Sequence, residues 1–201
     1  MKTAGISCGR GEKREKMAVV AVDEIPTWIA GDPIRTEEVL RAYKFFVMNS
    51  PVDGLSSRQK SLLDYGWNTP WRKPYSMRKK LNHLVGNKDF LFTAQNYDTL
   101  DAAISAADLV CFPPTNHKER AAIHNGKSTQ YLSLFFHIRN GFAHGRFNTI
   151  QDGDDVIFII EDVTNRRKGM MNGQKTCSAR IVIRLSTLSR WMDLIEAGEN
   201  A

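Results

Sequence analysis

Through the first two thirds of the chain, apolar positions recur mostly at helical spacing. In TEEVLRAYKFF, a capping threonine (Thr36) and two acidic first-turn residues lead into Val39, Leu40, Tyr43, Phe46 and Val47, and Met48-Asn49-Ser50-Pro51 ends the run. A shorter helix is predicted over about Leu55 to Tyr65. WNTPWRKPYSMRKK, residues 67–80, is broken by Pro70 and Pro74. Helical spacing resumes over Ser76 to Val85. It returns over Asn96 to Val110, where Leu100, Ile104, Ala107 and Val110 share a face until Pro113-Pro114 stops it. NHKERAAIH opens on Asn116 with Glu119 three positions on, a capping-box pattern that predicts another helix. A further helix is predicted from about Ser128 to His144, with Gly145 as its C-terminal stop.

The period then changes. DVIFIIEDV (155–163) is β-branched and aromatic, and CSARIVIRL (177–185) sets Ile181, Ile183 and Leu185 against Arg180, Val182 and Arg184. These two runs, joined by a Gly- and Asn-containing loop, predict a β-hairpin with a long tip. STLSRWMDLIEA, capped by Ser186, predicts a closing amphipathic helix. The fold expected is therefore mainly α: a helical bundle with one hairpin (about 155–163 and 177–185) and a C-terminal helix.

On a helical wheel the run YLSLFFHIRNGFAH (131–144) shows a narrow polar stripe of Ser133, His137, Asn140 and His144, while Tyr131, Leu132, Leu134, Phe135, Phe136, Ile138 and Phe142 cover most of the rest. Such a helix is central, so its stripe is expected to face water, a partner chain or a cleft. Arg139 lies off the stripe among apolar residues. A buried guanidinium is costly unless paired, so either the helix distorts at Gly141 or a second subunit meets Arg139.

Composition adds bounds. A chain of 201 residues, 42% hydrophobic and 25% charged, suits one globular domain. Residues 1–17 read as a disordered basic lead, with Met17 as a plausible alternative start, and 18–201 as the domain. Residues 1–16 carry five Lys or Arg against two Glu, so the lead holds half of the net charge of +6. No apolar run approaches the roughly 20 residues of a membrane span, and the N-terminus lacks an apolar signal region. Three widely spaced cysteines argue against a disulfide framework or a Cys-based metal site, and a reducing cytoplasm is the default. His137 and His144 are a rise of about 10.5 Å apart on a helix, too far to share an ion, as are His117 and His124. No metal and no cofactor is expected.

Arg139-Asn140-Gly141-Phe142-Ala143-His144, at the end of a core helix and followed by Gly145, resembles the motif of the HEPN superfamily: Arg, a spacer of several residues of which the first is often polar and commonly Asn, then His. The surrounding HIRNGFAHGRF, a hairpin and a last helix are similar to a plasmid- and phage-borne HEPN branch, over roughly residues 95–200. The resemblance implies a helical bundle, usually a homodimer, acting as a metal-independent endoribonuclease of the toxin or defence kind. It also implies a possible antitoxin or regulator as partner. On this chain the catalytic roles fall to Arg139 and His144, with Asn140 beside them.

The residue types suit that chemistry. Cleavage through the ribose 2′-OH needs a base, an acid and a cation for the phosphoryl oxygens. Histidine serves as acid or base, and arginine presents a fork matched to phosphate. His137 is a helper or, more simply, a structural residue. RNA-binding candidates are Arg146 and the hairpin-tip residues Arg166, Arg167, Lys168 and Lys175. Trp67, Trp71 and Tyr75 among Arg72, Lys73, Arg78, Lys79 and Lys80 interleave as single-strand binders do, although tryptophans flanking a Pro-broken loop are more often core plugs. The rival reading is a non-catalytic dimer that binds a protein partner, nucleotide or RNA.

Overall fold

A computed structural model describes residues 22, 26–29, 34–55, 58–72, 77–164 and 175–199. Five strands form one mixed sheet in the order β1-β2-β5-β4-β3. They are β1 (Leu91–Ala94), β2 (Arg120–His124), β3 (Phe147–Asp152), β4 (Asp155–Thr164) and β5 (Thr176–Arg184). β1 and β2 run parallel, as the crossover through helix α3 (Tyr97–Ala106) requires, and every other pairing is antiparallel.

Side chains alternate across the sheet, and each face is covered. Ala121, Ile123, Phe158, Ile160, Ala179, Ile181 and Ile183 point to one core. Helices α1 (Glu37–Lys44), α2 (Met77–Leu84), α4 (Gln130–Ala143) and α5 (Leu185–Ala197) complete it with Ala42, Leu81, Phe135 and Trp191. Ala122, Ile157, Ile159 and Val182 point the other way, where Leu100, Ile104 and Leu109 from α3 and the turn after it close a second core. The result is three layers, helix on sheet on helix.

This corrects the expected mainly helical bundle: the chain is α/β, built on a five-stranded mixed sheet. The hairpin of 155–163 with 177–185 is present as β4 and β5, but at the centre of the sheet rather than as an appendage. The largest misreading is at NHKERAAIH. Its two alanines favour a helix in isolation, yet Arg120–His124 is an inner strand paired on both edges. Asn116 and Glu119 do not cap a helix there. The Asn116 side chain accepts from Arg120, and Glu119 accepts from the Arg184 backbone N–H at 3.0 Å. An inner strand covered on both faces reads as a short apolar run with no alternation, which is why periodicity misses it.

Other elements shift less. α1 is capped by Thr36, as expected, and passes into a π-helical turn at Phe45–Asn49 before Ser50 and Pro51. Of the helix expected over 55–65, the regular part among the described residues is one 3₁₀ turn at Leu63–Tyr65. Asn96 caps α3, which ends at Ala106, short of the expected Val110. α5 starts at Leu185, and Ser186 donates to Asp155 instead of capping it.

Candidate functional site

Helix α4 is capped by Thr129, whose side chain accepts from the Leu132 N–H, and it runs unbroken to Ala143. Its end is set by the sequence His-Gly-Arg. The Gly145 N–H donates to Phe142 O at 3.1 Å and the Arg146 N–H to Gly141 O at 2.8 Å, with Gly145 in the left-handed region at φ +64°. That pair of bonds is a Schellman C-cap, which glycine adopts without the penalty a Cβ would bring. Gly141 has a different reason. A Cβ there would lie 2.2 Å from Ile160 Cγ2, so the glycine lets α4 press against β4.

The polar stripe is graded along the helix. Ser133 and His137 are buried, Asn140 is half-buried and His144 is exposed. Its inner half is satisfied within the chain. Ser133 Oγ donates to Asn125 Oδ1 at 2.8 Å, and His137 Nε2 lies 2.8 Å from the His124 carbonyl oxygen. His137 Nδ1 lies 2.7 Å from Asp162 Oδ2, on a carboxylate that is only 3% exposed. Both ring nitrogens thus face oxygen atoms of the chain, which fixes the plane of the ring.

The network continues outward to the motif. Asn140 Nδ2 donates to the same Asp162 Oδ2 at 3.2 Å, and Asn140 Oδ1 accepts from Arg139 Nη1 at 3.1 Å. Arg139 therefore joins the stripe by the reach of its own side chain, and the helix does not distort at Gly141 to bring it round. Arg139 Nε is buried and makes no hydrogen bond among the described residues, a costly state for a charged donor. His144, at the helix end, presents an exposed side chain. No family model, curated protein or solved structure matches the chain.

The other sequence candidates fall in different places. Arg146 is 6% exposed and pairs with Glu161, which also accepts from Arg180 Nε at 3.0 Å. Arg180 in turn donates to the carbonyls of Leu109 and Val110, at 2.9 and 2.7 Å. This buried arrangement holds the face of the sheet opposite Asp162. Arg166, Arg167 and Lys168 lie outside the described residues. Lys175 is half-buried one residue before β5. Trp67 is a core plug, 1% exposed, with its Nε1–H donating to Ile195 O at 3.0 Å. Trp71 and Arg78 line a cavity of about 280 Å³ at the N-terminal end of α4, the end opposite His144.

Asp162 is the residue that sequence reasoning missed. Its signal was present: IFIIED puts two carboxylates at the end of a strand that is otherwise apolar on both faces. Acids in such a strand must be paired, and each face of the sheet supplies a partner.

Proposed function

We propose that the chain is a metal-independent endoribonuclease in which Arg139 binds the scissile phosphate and His144 transfers a proton. The observation that carries this reading is the pairing of two features at one helix end. One is an exposed histidine. The other, within the last turn and a half, is an arginine anchored on one side by Asn140, with a buried Nε that has no acceptor among the described residues. A phosphate oxygen is the acceptor that a guanidinium fork fits best.

In the proposed reaction the ribose 2′-OH loses its proton to an imidazole, and its oxygen attacks phosphorus. The bond from phosphorus to the 5′-oxygen then breaks. That oxygen takes a proton, leaving a 2′,3′-cyclic phosphate and a 5′-hydroxyl. His144 supplies one of the two proton transfers. A second copy of the chain in a homodimer supplies the other from its own His144.

The test is cleavage of single-stranded RNA in EDTA by wild type, His144→Ala and Arg139→Ala. Wild type is expected to cut, and each variant to lose at least about a hundredfold in rate. A second reading, a non-catalytic binding module, draws on the burial of the inner half of the stripe, which an active site does not require. It predicts RNA binding without cutting, and equal binding by wild type and His144→Ala.

A further inference from the structure

Resting on the nuclease reading, we infer that Asp162, held by His137, is a positioning residue that aims Arg139 through Asn140. An amide has one accepting end and one donating end. Asp162 takes the donating end of Asn140 at 3.2 Å, and this turns Oδ1 toward Arg139 Nη1, 3.1 Å away. Were the amide reversed, its NH₂ would face the guanidinium, two donors with no acceptor between them. The direction of Asn140 therefore depends on an acceptor at Asp162.

That acceptor is itself fixed. Asp162 is buried on β4, and its Oδ2 also receives His137 Nδ1 at 2.7 Å. His137 is pinned from the far side by the carbonyl of His124 at 2.8 Å. A chain of four hydrogen bonds thus runs from the β2 backbone, through the buried His137 and Asp162 side chains, to a guanidinium at the end of α4. A staple between α4 and β4 would need only the His137–Asp162 bond. The extension through Asn140 to Arg139 orients a cation that makes no other hydrogen bond among the described residues.

The test is a swap within the pair, using near-isosteric changes that keep the fold. Asn140→Asp sets two carboxylates against each other and breaks the link. Adding Asp162→Asn restores it in reverse: with NH₂ in the place of Oδ2, the introduced carboxamide donates one hydrogen to position 140 and the other to His137 Nδ1, while His137 Nε2–H donates to the His124 carbonyl. Cleavage of a short fluorescein-labelled single-stranded RNA is measured for wild type, both single variants and the double variant, with folding checked by circular dichroism. Asn140→Asp is expected to slow cleavage at least about tenfold, and the double variant to return to within about threefold of wild type. A purely structural role predicts that the two losses add, and additive losses or a wild-type rate for Asn140→Asp overturns the inference. If wild type cuts no RNA, the nuclease reading fails, and the same four proteins with Arg139→Ala are compared for affinity to that RNA. Restoration in the double variant then sustains the positioning role for an anion-binding arginine. Additive losses, or no effect of Arg139→Ala, overturn it.

Discussion

Gly141 sits in the middle of the Arg139–His144 motif, yet its role is in packing. Its missing Cβ would lie 2.2 Å from Cγ2 of Ile160, a fully buried side chain. Gly141→Ala is expected to destabilise the fold by about 1–3 kcal/mol through overpacking, against the roughly 1 kcal/mol that alanine gains in a helix. Urea melts check this, and an unchanged or raised midpoint would contradict the close contact. Cys177 gives a second residue-scale prediction. Burial pushes its thiol up to about 12, so under native conditions it should resist alkylation and react only on unfolding, as peptide mapping would show. The sequence singles out Arg139, Asn140 and His144 at one helix end. What was not legible is how Arg139 meets Asn140, because a wheel records where a side chain starts and not how far it reaches.

At the scale of elements, β4 organises both faces of the sheet at one end. Asp162 turns to α4, and Glu161 turns to Arg146 and Arg180 on the opposite face. Removing the central acid leaves two buried guanidinium groups without their carboxylate. Glu161→Ala is therefore expected to cost about 3–5 kcal/mol, read as a large fall in the thermal midpoint. Arg146→Ala should likewise lower stability rather than selectively weaken RNA binding. A fully stable Arg146→Ala variant with weakened RNA affinity would reverse that assignment.

His124, at the end of β2, stacks on Tyr97 with ring centroids 4.3 Å apart. Burial, then the charge of neighbouring His137, holds its ring below the ordinary histidine value, while a hydrogen bond with the Gln95 backbone works the other way. Below about pH 6.5 the unfolded chain then takes up a proton that the folded chain resists, so stability falls as pH drops from there toward the lowered value. His124→Phe keeps a stacking ring and removes the titration. It should lose less of its thermal midpoint between about pH 7 and about pH 5 than wild type does, and an equal or larger loss would contradict this. β2 itself shows why part of the fold escaped the sequence. RAAIH carries helix-favouring alanines and no alternation, and only burial between two layers makes it a strand.

For the whole molecule, the helices near the candidate site and the β4–β5 hairpin were readable from period, because each shows a polar and an apolar side or a β-branched run. The sheet was not readable. Its order brings β2 and β4, far apart in sequence, to either side of β5, and those long-range pairings leave no local mark. This topology sets Asp162 and the His124 carbonyl on opposite sides of the His137 ring. Among the described residues no helix is long and apolar enough to cross a membrane. The central claim is that this sheet and helix end hold an RNA-cleaving group made from the chain's own side chains. Its most direct test is the rate of single-stranded RNA cleavage in excess EDTA by wild type and His144→Ala. The account predicts a 2′,3′-cyclic phosphate product from wild type and a loss of at least about a hundredfold in the variant. Cleavage by His144→Ala at the wild-type rate, or none by the folded wild type, would contradict it.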